Sequence, residues 1–321
     1  RRQRQMCIRD RFNTSSGSLI QMDRDYPLRA TKEELAVLLD NGVIVRDTTD
    51  EVFELIEKVN RKIDAPIKTL YITVVLTNNC NFGCVYCYQN HCHKDFSVED
   101  ATRLTAQVDE WLGGDIESIV VNYFGGEPLM NSDILINLDS SIKSIARKYS
   151  KGYQSNISTN GSMLSVDILQ KVQFNLIRLT FDGNALWHNR FRKMPAFSYA
   201  NQLDLLDCIL KNSNSKVEVR FNVCKENTKS FDNVFDDILG ISSFDASRVK
   251  FEVARMKNVK NNSAISELTQ EEYARAYMTI LTYKKSHNLR LNLPKPATTP
   301  CPFSINKAVC LGPVSYTHLT L

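Results

Sequence analysis

The chain has 321 residues, 43% hydrophobic and 24% charged, with 12 Gly, 9 Pro and 9 Cys. These values exclude a collagen-like or low-complexity chain, and no apolar run approaches the roughly 18 residues that cross a bilayer. The formal net charge of +4 hints at an anionic partner, and nine cysteines without a secretory signal call for a chemical explanation.

The two ends read as neither structure nor targeting signal. The head, RRQRQMCIRDR (1–11), can be back-translated so that the reverse complement of its coding stretch reads Val-Ser-Tyr-Thr-His-Leu-Thr-Leu. That is the tail, 314–321. The ends thus encode one DNA element on opposite strands and resemble a sequencing-library adapter, so both are set aside from fold reasoning. The head carries five Arg and one Asp and the tail no charge, which leaves 35 basic and 35 acidic residues in 12–313. The net charge becomes zero, and neither nucleic acid nor a membrane is an expected partner. The natural protein is expected to continue past one or both ends.

Residues 12–68 predict a small helical or winged appendage. Leu35, Val37, Leu38 and Leu39 precede the turn Asp40-Asn41-Gly42, and a second helical stretch covers Glu51–Ile63. From about Tyr71, short β-branched runs alternate with amphipathic stretches. Strands are predicted at Tyr71–Leu76, Ser118–Tyr123, Gln154–Ser158, Leu176–Phe181, Val217–Val223 and Val249–Val253. Helices are predicted at Val98–Leu112, Ser132–Lys148, Val166–Val172, Tyr199–Lys211, Phe231–Leu239 and near Gln270–His287. Ser97, with Glu99 and Asp100 behind it, is a predicted N-cap. Six β-then-α units predict an α/β fold: a partial (β/α)6 TIM-type barrel over 69–290, with its chemistry on the loops after the strands. The Pro-rich stretch 288–313 loses this periodicity.

The cysteines cluster after the first strand. Cys80, Cys84 and Cys87 stand at spacing x3 then x2, and Gly83 relieves the loop between them. Three thiolates on one loop can hold three irons of a cuboidal iron–sulfur cluster and leave the fourth for a small molecule. Zinc is the rival, with His91, Cys92 or His93 as a fourth ligand, although only one Cys-x2-Cys pair is present. A disulfide framework fits poorly in a chain this large without a secretory signal.

This loop resembles that of the radical S-adenosylmethionine (SAM) superfamily, with Cys80, Cys84 and Cys87 at its cluster-ligand positions. The resemblance implies a 4Fe-4S cluster that binds SAM through its open iron. One electron, from a donor such as flavodoxin or ferredoxin, then releases a 5′-deoxyadenosyl radical that takes hydrogen from the substrate.

Other motifs extend the likeness. Gly125-Gly126-Glu127-Pro128 follows the second strand; its glycines permit a close backbone approach, and Glu127 can accept from an ammonium group. It resembles the superfamily motif that holds the SAM amino group. Ser158-Thr159-Asn160-Gly161 is either a simple turn or, by resemblance, a segment beside SAM. Thr180, Asp182, Gly183, His188 and Arg192 match a motif of the peptide-modifying branch. That branch usually has Pro where Asn184 stands and Asp where Asn189 stands. Thr180 and Asp182 are implied SAM-side residues, and His188 reads equally as a hydrogen-bonded loop residue. In the fifth strand, Val219, Phe221 and Val223 alternate with Arg220 and Asn222, which points the polar pair inward towards a salt bridge or SAM.

Cys301 and Cys310 fall where the branch begins a SPASM or twitch extension, so one or both are implied ligands of an auxiliary 4Fe-4S cluster, with 291–313 as the start of a truncated domain. Cys208 and Cys224 read as core thiols, Cys92 as an exposed thiol, and Met163 and Phe174 as core. The function implied is a cytoplasmic maturase acting on a peptide or protein, of the kind that modifies ribosomally made peptides. The alternatives are a sulfatase-maturase-like protein oxidase and a non-catalytic zinc- or cluster-binding module.

Overall fold

A computed structural model describes residues 10–12, 19–21, 30–40, 44–46, 48–291 and 308–312. Contacts divide the chain into two units, Arg1–Pro66 with Asn292–Cys301, and Ile67–Leu291 with Pro302–Leu321. The expected adapter tail, Cys301 and most of 1–11 lie outside the described residues.

In the first unit, β1 (Asp10–Phe12) pairs antiparallel with β2 (Leu19–Gln21). Strand β1 includes Asp10 and Arg11, which the adapter reading excludes from the fold. Helix α1 spans Lys32–Asp40 and α2 spans Glu51–Asp64. Asp50 caps α2 by accepting from Val52 N and Phe53 N at 3.1 and 3.0 Å.

The second unit is a parallel sheet wound with helices. Its strands are β3 (Thr69–Val75), β4 (Ser118–Phe124), β5 (Gly152–Ser158), β6 (Leu176–Phe181), β7 (Lys216–Val223), β8 (Val249–Arg255) and β9 (Ala308–Leu311). The order is β8-β7-β6-β5-β4-β3-β9, with every pair parallel. The edges β8 and β9 stay apart, so the barrel is partial and open. The helices are α3 (Val98–Leu112), α4 (Ser132–Lys148), α5 (Val166–Lys171), α6 (Ala185–Arg192), α7 (Tyr199–Asn212), α8 (Phe231–Leu239) and α9 (Gln270–Ser286). Ser97 caps α3 in a capping box with Asp100, as its sequence predicts. No described helix is long and apolar enough to cross a membrane.

Besides the hairpin β1–β2, one helix and one strand of the second unit go beyond the predicted set. Helix α6 has only eight residues of mixed polarity, too few for a 3.6-residue apolar stripe to stand out. Strand β9 arises where the chain lies along the edge of β3, with Cys310 opposite Thr73, and no local property announces that pairing.

Side chains alternate in and out along each strand, and this decides what the sheet can do. Ile72, Val74, Ile119, Val121, Ile177, Leu179, Val219, Phe221 and Val223 are buried, on the face that packs the main core. The opposite, concave face carries Thr73, Asn122, Asn156, Arg178, Thr180, Arg220 and Asn222, all half-exposed. Phe174 is core as expected, whereas Met163 is exposed at 42% because it sits in the turn leading to α5. Cys224 is fully buried just past β7, while Cys208 is only half-buried on α7.

Phe221 anchors the core at one end, with ring centroids 5.1, 5.0 and 5.8 Å from Phe231, Phe235 and Phe251. Removing it leaves a cavity that three rings line. Phe221→Ala is expected to lower the unfolding free energy by about 3–5 kcal/mol in urea denaturation.

Candidate active site

The loops at the carboxyl ends of β3 to β7 converge, as a parallel sheet directs them. The β3 loop is clamped first. Thr77 donates through its hydroxyl to Asp95 at 2.5 Å and accepts there from Asn79 N at 2.9 Å. Asn79 Oδ1 then accepts from Cys80 N at 3.0 Å. Gly126 N donates to Thr77 O, and Glu127 N to Asn79 O, each at 2.9 Å.

These two bonds account for the glycine pair. A Cβ on Gly126 would stand 2.1 Å from Asn79 O, and one on Gly125 2.4 Å from Thr77 O. The close approach that the glycines allow is therefore to the cysteine loop itself, where the sequence suggests an approach to a ligand.

Glu127 is also placed differently from its expected role as an ammonium acceptor. Its carboxylate is fully buried. Leu129 N and the Thr159 hydroxyl donate to Oε1 at 3.1 and 2.7 Å, and Asn160 N donates to Oε2 at 2.7 Å. Burial pushes its pKa up, and these donors oppose the shift. Glu127 joins the β4 loop to the β5 loop, and Pro128 begins the short turn behind it.

Asn160 continues the chain of contacts. Its Nδ2 donates to Asn81 Oδ1 at 2.7 Å and lies 3.9 Å from Cys80 Sγ. Ser158 lies on the concave side and accepts from Arg178 Nη1 at 3.1 Å.

Beneath the cysteine loop lies a buried polar network. Tyr86, between Cys84 and Cys87, donates to Asp182 Oδ2 at 2.5 Å and accepts from Arg192 Nη1 at 3.0 Å. Asn222 Nδ2 donates to Asp182 Oδ1 at 3.1 Å, and Arg220 Nε donates to Asn222 Oδ1 at 3.2 Å. Asp182 is fully buried; burial pushes its carboxyl up, and Arg192 pulls it back. Thr180, Arg220 and Asn222 instead face the concave side.

His188 stands on α6 and not on a loop. It is fully buried against Phe181 and Tyr199, with ring centroids 5.9 and 5.6 Å away. Its Nδ1 accepts weakly from Asp182 N at 3.5 Å, and its Nε2 has no partner among the described residues.

Cys80, Cys84 and Cys87 are free, half-buried thiols on this one loop. Burial pushes Cys84 up to about 11 against the pull of Arg192, and it pushes Cys80 up as well. A thiolate set in such a position calls for a metal's charge to hold it. Among the described residues, no three His, Cys, Asp or Glu side chains converge on one ion. A cuboidal cluster needs no such convergence, because each thiolate takes a different iron, so the donor set suits a cluster better than zinc. His91 Nε2 lies 3.6 Å from Cys87 Sγ, His93 lies beside Asn79, and Cys92 is exposed. Cys310 sits on β9, half-buried and next to Thr73 in register.

Of the concave wall, sequence reasoning singled out Ser158, Thr180, Arg220 and Asn222 and missed the rest. Thr73, Asn122, Asn156, Ser158 and Arg178 line a cavity of about 180 Å³. Asn156 Nδ2 donates to Asn122 Oδ1 at 2.9 Å. Further along, Glu218 pairs with Arg178 and with Lys250 at 3.1 Å. Burial raises the Glu218 pKa, but a hydrogen bond with Glu252 and these cations outweigh it and hold the carboxyl at about 2. Glu252 is raised by the same contact. The polar residue at every second strand position was the available signal, and it drew notice only in β7.

Residues 74–238 match the radical SAM superfamily, and the chain belongs to that family. Its members use a 4Fe-4S cluster and SAM. Among curated proteins, the GTP 3′,8-cyclase of Campylobacter jejuni subsp. doylei is 28% identical over 222 residues, covering 67% of this chain. The chain spans 62% of the length of that relative. Among solved structures, native anSMEcpe with bound AdoMet and Cp18Cys peptide aligns with TM-score 0.55 at 15% identity, over 70% of this chain and 62% of that one. Streptococcus suis SuiB bound to precursor peptide SuiA aligns with TM-score 0.54 at 14% identity, over 88% and 67%. At these identities the structural likeness concerns the fold.

Gly126→Ala is expected to cost about 1–3 kcal/mol, read as a lower Tm, because backbone must move to admit the methyl group. His188 gives a pH signature. Burial, helped by Arg192, lowers its folded pKa to about 3 from 6.5. The unfolded chain then binds the extra proton first, so this part of the stability is present above pH 6.5 and is lost as the pH falls towards 3. His188→Phe should flatten the acid limb of unfolding free energy against pH.

Proposed function

We propose that this protein is a radical SAM maturase that acts on a peptide or protein. Cys80, Cys84 and Cys87 would hold the 4Fe-4S cluster. Gly125, Gly126, Glu127 and Pro128 would shape the turn beside SAM, while Ser158, Asn160, Thr180, Arg220 and Asn222 would line its site. Asp182 would act from behind, through Tyr86 and Asn222. Bound to SAM and reduced by a donor such as a flavodoxin or ferredoxin, the cluster would supply a 5′-deoxyadenosyl radical to take hydrogen from the substrate. The chain's own residues position the partners and keep water from the reacting atoms.

The observation that carries the peptide reading is the charge state of the concave wall. Arg178 and Lys250 are paired with Glu218, and Arg220 lies in register with Glu252. A nucleoside triphosphate needs unpaired cations, whereas Arg178 and Lys250 share the Glu218 carboxylate. A polar wall whose cations are largely paired suits a peptide. The likeness in fold to peptide-bound SuiB and anSMEcpe supports the same direction. The second reading, a nucleotide substrate, is favoured by the Campylobacter cyclase relatives.

The organisation that fits is an appendage over 12–68, a barrel over 69–290, and from 291 to 313 the start of an auxiliary-cluster extension to which Cys301 and Cys310 would contribute. A cytoplasmic setting suits an oxygen-sensitive cluster.

Anaerobically reconstituted, dithionite-reduced protein should convert SAM to 5′-deoxyadenosine, measured by chromatography. Cys84→Ala should bring the yield to background. Turnover stimulated by GTP, and not by a short peptide encoded beside this gene, would overturn the peptide assignment. A colourless protein with one tight zinc would overturn the cluster.

A further inference from the structure

We propose that Arg192 is a positioning residue that sets the reduction potential of the cluster held on the Cys80–Cys87 loop, an inference that rests on the cluster assignment above. Helix α6 ends directly against that loop. Phe191 O accepts from Val85 N at 2.9 Å, and Lys193 Cβ would stand 3.6 Å from a Cβ on Gly83. Between these contacts Arg192 is 6% exposed.

Its guanidinium reaches both halves of the loop. It lies 5.0 Å from the ring of Phe82, ahead of Cys84, and donates to the hydroxyl of Tyr86, behind Cys84. Asp182 is the nearest counter-charge, at 3.9 Å, too far for a direct hydrogen bond. Arg192 Nε has no hydrogen-bond partner among the described residues. A cation in so dry a position is costly unless its charge is used.

The charge acts on the cysteine loop. Arg192 touches both flanks of Cys84 directly, whereas Asp182 reaches the loop through the Tyr86 hydroxyl. His188, one turn earlier on α6, stays neutral because burial disfavours its charged form, so the cation of this helix at the site is Arg192. One-electron reduction by an external low-potential donor adds one negative charge to the cluster. A fixed positive charge nearby in a low-dielectric setting favours that reduced form, and a fixed negative charge disfavours it. A role confined to packing would leave the potential unmoved.

The test is a potentiometric titration of the full chain, reconstituted anaerobically without SAM, with dithionite, redox mediators and EPR detection. Iron and sulfide are counted in parallel. Arg192→Met should move the midpoint to more negative potential at parental iron content, Arg192→Lys should keep it near the parent, and Asp182→Asn should move it the opposite way. An unmoved midpoint in an iron-replete Arg192→Met protein overturns the proposal. If that variant takes up no iron, Asp182→Asn decides: a positive shift supports the role and an unchanged midpoint overturns it. A parent chain that binds no iron would instead overturn the cluster assignment, which separates the two failures.

Discussion

The site depends on one close backbone approach. Gly125 and Gly126 pass so near Thr77 and Asn79 that no side chain fits between them, and two peptide hydrogen bonds close the contact. A loop that presents three cysteines needs a rigid base, because loops are otherwise the mobile part of a fold. Here the base is the next strand's turn. Glu127 extends the clamp to a third loop by taking the backbone of Asn160 and the hydroxyl of Thr159. Three consecutive strand ends thus form one unit, at the cost of a buried carboxylate that three donors satisfy.

The second tier is ionic. Asp182, Arg192, Tyr86 and Asn222 are joined in one network under the cysteine loop, in which Asp182 and Arg192 are buried from water. Such a network fixes geometry and also imposes a field. The motif Thr180-x-Asp182-Gly183 with His188 and Arg192 reads as a set of ligand contacts when only the sequence is seen. In the fold its buried members act through protein partners, and Thr180 alone remains on the concave face.

The third feature is the division of labour between the two faces of the sheet. One face is sealed by helices and packs the core; the other is polar, and its charges are largely paired with one another. Parallel strands usually read as continuous apolar runs because both faces are covered. The alternation in β7 announces an open face, and Asn122, Asn156 and Arg178 repeat it in shorter form on their own strands.

What the sequence determined by itself was local or periodic. Strand and helix runs, the Ser97 cap and the alternation of β7 depend on near neighbours, and periodicity reports them directly. The spacing of Cys80, Cys84 and Cys87 carried the family because cluster ligation needs those residues close in the chain. Tertiary structure decided what depends on residues far apart. It turned the two glycines and Glu127 towards the protein, gave Asp182 to Tyr86 and Asn222, laid β9 beside β3, and left Met163 exposed. Each of these outcomes depends on a partner tens of residues away or more, or on which side of a turn faces water, and no short-range pattern encodes either.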